Sequence, residues 1–519
     1  MSQTDYDVVV IGSGLGGLTA GAVLAKNGRK VCLVEKNTSL GGAASTYKVG
    51  ALTIEAALHE TADPHNPSDP KHQVLKRLGL LDELEWVDVG PLYSVEGGPL
   101  GDEPFVLGEG FDAVRTAMTD RFSPAAGKAI DDLRHVHEAL VRMSEAREPP
   151  SLVKLTRSLF GIGPLVSGWN RSVADVLARD LGGDEAAKCA LAANLPYYGD
   201  DPARLWWLYF AVAQAGYIAA GGTFIKGGST RLAVKLAKVI TANGGTALRS
   251  SRVVRVVAPS GGEPGRVTFR GKDGAETEVT ARAVAANCAP HALAEMLDGD
   301  AAQRLAARYA DRPLSPSLFC IHFGIPAEKA GLLPSTYSTF LLPPWMTALG
   351  DYAGSAALLG AMPEGRLPPF AVANHGAIDA GLGDGELVPV TVTGLDTVAN
   401  WANLDRAGEQ ARRDAWADAI TERLERQWPG FAAAVAERVF VNARSMRDYL
   451  GTPDGAVYGF AMQPPSRAIW FGLDRSPKTP LDGVFLASSY AGGGGYSGAM
   501  GTGAMAGDVV ERWLTRRHG

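Results

Sequence analysis

Residues 7–17 read DVVVIGSGLGG, and this stretch decides the fold. The apolar run at 7–11 predicts a parallel strand that is covered on both faces. A G-x-G-x-x-G pattern follows at once, and residues 15–27 have the pattern of a helix that Gly28 ends. Residues 30–35, KVCLVE, predict a second strand. Residues 7–35 therefore predict one βαβ unit of a dinucleotide-binding domain.

The glycines of this turn have separate reasons to be there. Gly12 permits the tight turn, Gly14 lets the backbone approach a pyrophosphate, and Gly17 lets the helix lie close to the strand, with Gly16 beside it in the same turn. The helix N-terminus then offers unpaired N–H groups and a partial positive charge to the phosphates. Glu35 ends the second strand, where its carboxylate would accept hydrogen bonds from the ribose hydroxyls.

Composition narrows the classes of partner. The chain has 519 residues, of which 46% are hydrophobic, and a formal net charge of −6. Large cores are therefore expected, and a basic surface for nucleic acid is not. The cysteines lack metal-ligand spacing and are predicted to be reduced and buried. The N-terminus lacks a signal-peptide pattern, and no run of about eighteen apolar residues occurs, so we expect a cytoplasmic protein.

The continuation at residues 35–46, EKNTSLGGAAST, resembles the flavoprotein superfamily of amine oxidases and phytoene desaturases. The resemblance implies FAD as the cofactor, with an acidic residue, a basic residue and a Gly-Gly pair wrapping its adenosine and diphosphate. An ordinary surface loop is the alternative. The cofactor-binding residues that it implies here, besides Glu35, are Lys36, Gly41, Gly42, Ala43, Ser45 and Thr46.

Residues 50–59, GALTIEAALH, resemble the Phe-Asp-x-Gly-x-His stretch of retinol saturases and carotenoid isomerases. Ile54, Glu55 and Ala57 differ from that pattern, whereas His59 is kept. The resemblance implies a catalytic, flavin-facing role for His59. The alternative is a structural histidine.

Residues 486–500, LASSYAGGGGYSGAM, resemble the closing motif of the same superfamily: a strand, a glycine-rich turn and a helix beneath the isoalloxazine ring. The helix N-terminus would stabilise negative charge that develops on the reduced flavin. The motif implies contacts from Ser489, where many relatives have Asp, and from Gly495, Tyr496 and Ser497. Tyr496 is also a catalytic candidate, because the amine oxidases use a tyrosine here in an aromatic cage. The resemblance also implies that Val254, in the predicted strand at 253–257, reads the adenine edge through its backbone; an ordinary core strand is the alternative.

These pieces predict an α/β protein with a discontinuous Rossmann-like FAD-binding domain and an inserted α+β substrate domain. We assign residues 1–95, 216–304 and 461–519 to the FAD-binding domain, 96–215 to a mainly helical substrate-facing or membrane-facing region, and 305–460 to a substrate-binding sheet. Residues 151–168 combine apolar side chains with Lys154 and Arg157. They are a candidate for docking at a membrane surface, and packing on the core is the alternative.

The resemblance implies an FAD-dependent oxidoreductase that desaturates, saturates or isomerises carbon-carbon bonds of a lipophilic polyene or terpenoid by hydride transfer at flavin N5. Oxygen or a quinone would be the electron acceptor. Amine oxidation on the same fold is the second hypothesis. The third is a noncatalytic lipid-binding chaperone that resembles the Rab GDP-dissociation inhibitors. An aromatic cluster either lines an apolar tunnel or packs in the core; it comprises Trp206, Trp207, Tyr209 and Phe210.

Overall fold

The computed structural model of the chain describes residues 4–56, 60–145, 161–383 and 385–518. The described chain is an α/β protein with two seven-stranded sheets and two smaller ones, so the predicted fold class is confirmed. The helices are α1 Leu15–Lys26, α2 Pro70–Leu78, α3 Phe111–Arg121, α4 Pro124–Glu145, α5 Gly163–Ser167, α6 Val173–Leu181, α7 Glu185–Leu191, α8 Trp207–Ala220, α9 Thr230–Ala242, α10 Pro290–Met296, α11 Gly299–Tyr309, α12 Arg406–Gln427, α13 Phe431–Ala434, α14 Ala443–Leu450 and α15 Gly495–His518.

The strands of the first seven-stranded sheet are β1 Tyr6–Ile11, β2 Val31–Val34, β10 Thr246–Leu248, β11 Arg252–Val257, β12 Gly265–Arg270, β13 Glu276–Ala286 and β19 Val484–Leu486. The second seven-stranded sheet contains β7 Tyr93–Gly97, β8 Phe105–Leu107, β14 Ser317–Pro326, β15 Ser338–Leu342, β16 Phe370–Asn374, β17 Leu387–Asp396 and β18 Glu437–Val441. The smaller sheets are built from β3 Thr46–Val49, β4 Leu52–Glu55, β5 Thr61–Ala62, β6 Trp86–Asp88 and β9 Gly222–Ile225.

The first sheet contains the predicted βαβ unit. Its strands lie in the order β10-β2-β1-β13-β12-β11, with β19 beside β13. β1 pairs in parallel with β2 on one side and with β13 on the other. The last four residues of β1 and all of β2 are buried, as the continuous apolar runs predict. Both faces of the sheet carry separate hydrophobic cores. This element of the prediction is confirmed.

Distant segments assemble on this sheet. α15, from the C-terminal end, packs along α1, where Gly507 brings a backbone so close that an added Cβ would lie 2.9 Å from Val23 Cγ1. α9 packs against the other side of α1. β19 extends the parallel part of the sheet beside β13. The carboxyl ends of β1, β2, β13 and β19 therefore meet at one edge, the place where open α/β sheets bind ligands.

The second sheet has the order β18-β14-β17-β16-β15-β7-β8. β14 pairs with both β17 and β18, and nine of its ten residues are buried. β7 pairs in parallel with β15, so the domain boundary expected at 95/96 falls inside a strand of this sheet. The helices of residues 111–220 cover one face, where Trp206, Trp207 and Phe210 are buried in the shared core.

The described part of the chain contains no helix that is long and apolar enough to cross a membrane. All four cysteines are free thiols, and Cys32, Cys189 and Cys320 are buried, whereas Cys288 keeps some exposed surface. His59 and residues 151–160 of the candidate membrane segment lie outside the described residues.

Candidate functional site

The glycine turn after β1 leaves the N-terminus of α1 open. Gly14 is the N-cap and supplies no side-chain capping bond to the first N–H groups of the helix, of which the N–H of Gly17 is bound by Asn287. Gly12 has φ of 92°, a conformation that favours glycine. A Cβ on Gly17 would overlap Gly12 O. This turn can therefore receive a phosphate group at close backbone range.

Glu35 closes one side of this turn. Its Oε2 accepts hydrogen bonds from Ser13 N at 2.8 Å and from Ser13 Oγ at 2.7 Å. Its Oε1 accepts one from Asn37 N at 2.7 Å. Glu35 is 5% exposed, so its carboxylate is held in one orientation beside the glycines. Glu35 directly follows β2, the position at the strand end that the sequence predicts.

Asn287 is a residue of the turn that sequence reasoning missed. It directly follows β13, and its Oδ1 accepts a hydrogen bond from Gly17 N at 2.9 Å, across 270 residues of sequence. A Cβ on Gly14 would lie 2.5 Å from Asn287 Nδ2. The asparagine thus fixes the start of α1 and needs Gly14 to fit. The available signal was a polar residue directly after a buried strand that ends at the same edge as β1.

The second glycine pair packs on the first. Gly41 forms an isolated bridge with Gly14, and Gly41 N donates to Ser13 O at 3.0 Å. A Cβ on Gly42 would lie 3.2 Å from Gly14 Cα. Gly41 and Gly42 have φ of 117° and 61°. Only glycines allow the two turns to approach this closely.

The other residues of the 36–46 segment face several directions. Lys36 Nζ donates to Asp448 O at 3.0 Å, and burial lowers the pKa of this amine. Ser45 Oγ donates to Gly42 O at 2.7 Å, and Thr46 Oγ1 donates to Glu55 Oε2 at 2.8 Å. Ala43 is exposed. Ser45 and Thr46 therefore hold the loop, whereas Lys36 ties it to the end of α14.

The C-terminal motif lies against the glycine turn. A Cβ on Gly16 would overlap Ala487 O, and a Cβ on Gly503 would overlap Gly16 O. Ser489 begins a short 3-10 turn, Ser489–Ala491, and α15 begins at Gly495. Ser497 Oγ donates to Asp69 Oδ2 at 2.7 Å, which connects this helix to the N-terminus of α2.

Val254 lies in β11, at a register shift between Val253 and Arg255. The segment just before this strand contacts the end of β2, because Ser251 N donates to Glu35 O at 2.8 Å. The structure thus brings residues 12–17 into direct contact with the 35–46 stretch and with the 486–500 motif, and Val254 follows three residues after Ser251, which contacts Glu35.

Tyr496 faces the junction between this site and the aromatic core. It is 6% exposed, and burial raises the pKa of its phenol far above the ordinary value. The Tyr496 phenol lies close to Glu55 and Ser229. Tyr337, a buried residue of the aromatic core, lies close to both Tyr496 and Glu55. Tyr209 hydrogen-bonds the backbone of Gly494. The aromatic region of α8 therefore adjoins the C-terminal glycine turn.

The arrangement fits an extended dinucleotide. The glycine-capped N-terminus of α1 can receive the diphosphate. Glu35 and the segment before β11 can receive the adenosine, and the glycine-rich turn at 492–495 belongs to the C-terminal motif that contacts the first turn. No group of three or more His, Cys, Asp or Glu side chains with metal-binding geometry occurs in the described residues.

Comparison with known proteins supports the same interpretation. A family model described as an NAD(P)-binding Rossmann-like domain matches residues 10–78. Human all-trans-retinol 13,14-reductase is 27% identical over 271 residues, which are 50% of this chain and 43% of the reductase. The chain thus matches less than half of that relative's length. Phytoene desaturase (neurosporene-forming) of Rhodobacter capsulatus is 25% identical over 528 residues, with 97% of this chain and 93% of the desaturase covered.

Among solved structures, cyclohexylamine oxidase from Brevibacterium oxydans aligns with a TM-score of 0.57 at 15% identity, and the alignment covers 99% of each chain. At this identity the similarity shows the fold. The fold and the glycine turns of this chain are therefore similar to those of a Rossmann-like dinucleotide-binding protein, and the sequence similarity to a phytoene desaturase extends along nearly the whole chain.

Proposed function

We propose that the chain is an FAD-dependent oxidoreductase that desaturates, saturates or isomerises carbon-carbon bonds of a lipophilic substrate. The observation that carries this proposal is the direct contact of the first glycine turn with both the second glycine turn and the C-terminal motif, beside a buried aromatic core. The relatives named as retinol reductase and phytoene desaturase support the substrate class. Bound flavin would supply the hydride chemistry at N5.

The chain's own residues would then hold and shield the reactants. Residues 12–17, 41 and 42 would hold the diphosphate, Glu35 the ribose and Val254 the adenine edge. The N-terminus of α15, at Gly495 to Ser497, would stabilise negative charge on the ring. The aromatic side chains of α8 would exclude water from the substrate, which strengthens every electrostatic interaction in the site.

Anaerobic titration of the purified holoprotein tests the proposal. The protein is reduced with dithionite, and all-trans-retinol, a carotenoid and cyclohexylamine are offered in separate reactions to the reduced and the oxidised forms. We expect the polyenes to change the flavin spectrum and cyclohexylamine to leave it unchanged. A purified protein that stays colourless after incubation with FAD would contradict the proposal.

Amine oxidation is the second candidate, and one observation favours it. Tyr496 begins α15 beside the glycine turn and lies near a second phenol, Tyr337, as an aromatic cage for a neutral amine requires. Reduction of the flavin by cyclohexylamine, with release of ammonia and a ketone, would support this candidate. Polyene-dependent spectral changes without ammonia would contradict it.

We also propose a contact with the membrane surface, through a tip at residues 469–473. Trp470 is 79% exposed, Phe471 68% and Leu473 39%. Arg467 Nε donates to Gly472 O at 2.7 Å and closes the tip, and Trp169 Nε1 donates to Arg467 O at 2.7 Å. Exposed Trp and Phe next to a basic residue suit the interface of a bilayer, where the rings lie at headgroup level.

A further inference from the structure

One buried carboxyl group is not used by the site described above. Glu60 precedes β5 in the three-stranded sheet β5-β9-β6. Strand β9 pairs with β5 and has Gly222 opposite Ala62. A Cβ on Gly222 would overlap Glu60 Oε1. The glycine therefore makes room for the carboxyl group. Burial raises the pKa of Glu60 to about 8.

Five tyrosines from four parts of the fold surround this carboxyl group closely enough for electrostatic coupling. Glu60 keeps some accessible surface, whereas Tyr93, Tyr198 and Tyr337 are buried in the surrounding core. We use the name Glu60 chamber for this surrounding, which comprises Glu60, Tyr93, Tyr197, Tyr198, Tyr217 and Tyr337.

The carboxyl group has no polar partner among the residues that the structure describes: no hydrogen bond reaches it, and no Lys, Arg or His pairs with it. The hydroxyl groups of the nearby Tyr217 and Tyr93 donate hydrogen bonds to backbone oxygens and not to the Glu60 carboxyl group. Tyr217 Oη donates to the backbone oxygen of Glu60 at 3.1 Å, and Tyr93 Oη donates to Ala190 O at 3.0 Å. A buried polar group without a partner is costly, so a ligand atom that pairs with it would gain affinity.

The chamber adjoins the proposed flavin site. Tyr337 lies close to both Glu60 and Tyr496. The rest of the wall is apolar, since Phe340 packs against Tyr93 at 5.2 Å and Phe224 against Tyr337 at 6.1 Å between ring centroids. A long apolar molecule with one polar atom matches this lining.

We propose that Glu60, as a neutral carboxylic acid, donates a hydrogen bond to the carbonyl oxygen of the substrate. This inference rests on the proposed function and narrows its substrate class to lipophilic aldehydes and ketones with a carbon-carbon bond to be oxidised or reduced next to the carbonyl group. Hydrogen bonding to the oxygen favours this chemistry, because it stabilises the negative charge that develops there. A carboxyl group kept neutral by apolar surroundings is suited to this task.

The test compares two probes of equal length on the FAD-loaded protein: all-trans-retinal and axerophtene, the hydrocarbon in which a methyl group replaces the aldehyde. Quenching of tryptophan fluorescence gives Kd, and the infrared carbonyl stretch of retinal reports hydrogen bonding. We expect the wild type to prefer retinal by about tenfold, from one buried hydrogen bond. Glu60→Gln, which keeps an N–H donor, should keep the preference. Glu60→Leu should lose both the preference and the infrared shift.

The pH dependence gives a second measurement. The wild type should lose its preference between about pH 7 and about pH 9, as the carboxyl group ionises and stops donating, whereas Glu60→Gln should not. Glu109→Leu is the matched control, because Glu109 is an exposed carboxylate near Gly221, next to the same strand. It should behave as the wild type.

Three results would overturn the inference: Glu60→Leu that still prefers retinal, a wild type that binds both probes equally, or tighter Glu60-dependent binding of cyclohexylamine, which would assign the chamber to a cation. The flavin content of each variant is measured separately. A colourless protein would refute the proposed function, yet the infrared shift of bound retinal would still report on Glu60, so the two failures are distinguishable.

Discussion

At the scale of single residues, the nucleotide site depends on backbone atoms that side chains would cover. Gly14 is the sharpest case, because it is in contact with the second glycine turn and with Asn287 at the same time. Asn287 cannot simply move away, since its Oδ1 holds the N–H of Gly17. A side chain at position 14 would therefore disturb both the phosphate approach and the start of α1.

We predict that Gly14→Val abolishes retention of FAD through purification, measured as the flavin absorbance per protein. Gly183→Ala is the control, because a Cβ there meets nothing within 4 Å and the backbone is not in the left-handed region. It should retain the flavin fully. If the Gly14→Val protein retains its yellow flavin, the glycine turn is not part of the cofactor site.

At the scale of elements, Glu55 joins the end of β4 to the N-terminus of α9. Its Oε2 accepts from Ser229 N at 2.9 Å and from Thr46 Oγ1 at 2.8 Å, and it is 0% exposed. Burial raises its pKa from 4.5 to about 7, against the effect of these donors. The folded protein therefore binds this proton more tightly than the unfolded chain does.

The raised pKa of Glu55 determines whether the free energy of unfolding rises or falls with pH. A raised folded-state pKa contributes stability that is full below the unfolded value and is lost as the pH rises through the folded value. Relative to Glu55→Gln, the free energy of unfolding of the wild type should fall by on the order of 3 kcal/mol between about pH 4 and about pH 8. Urea titrations with saturating FAD measure it, with the exposed Glu263→Gln as control. If the free energy of unfolding depends on pH in the same way in the wild type and in Glu55→Gln, the raised pKa of Glu55 is contradicted.

The elements also explain what the sequence could predict. The βαβ unit and α9 are encoded locally, by apolar periodicity with glycines at the ends, and they lie where expected. The domain boundary predicted at 95/96 divides β7, whose place in the second sheet was not predicted, because its partner β15 is distant in sequence and a local pattern does not specify a distant partner. Asn287 and Glu60 were missed for the same reason: their roles arise only when the fold closes around them.

At the scale of the whole molecule, the 469–473 tip lies close along the chain to the proposed flavin site. Arg475 follows the tip and reaches the C-terminal glycine turn, where its Nη1 donates to Gly492 O at 2.9 Å and its Nη2 donates to Ala461 O at 2.9 Å. The same stretch of chain thus connects the exposed apolar tip with the wall of the proposed flavin site.

We predict that the protein floats with vesicles of phosphatidylcholine and phosphatidylserine, and that Trp470→Ser combined with Phe471→Ser reduces the bound fraction at least about tenfold, because two exposed rings supply most of the apolar area at the tip. Met362→Ser removes a side chain that is 49% exposed elsewhere and should bind as the wild type does. Flavin content should stay unchanged in both variants. If the double variant floats normally, or if it only splits a dimer seen by sedimentation without changing flotation, the tip is not a membrane contact.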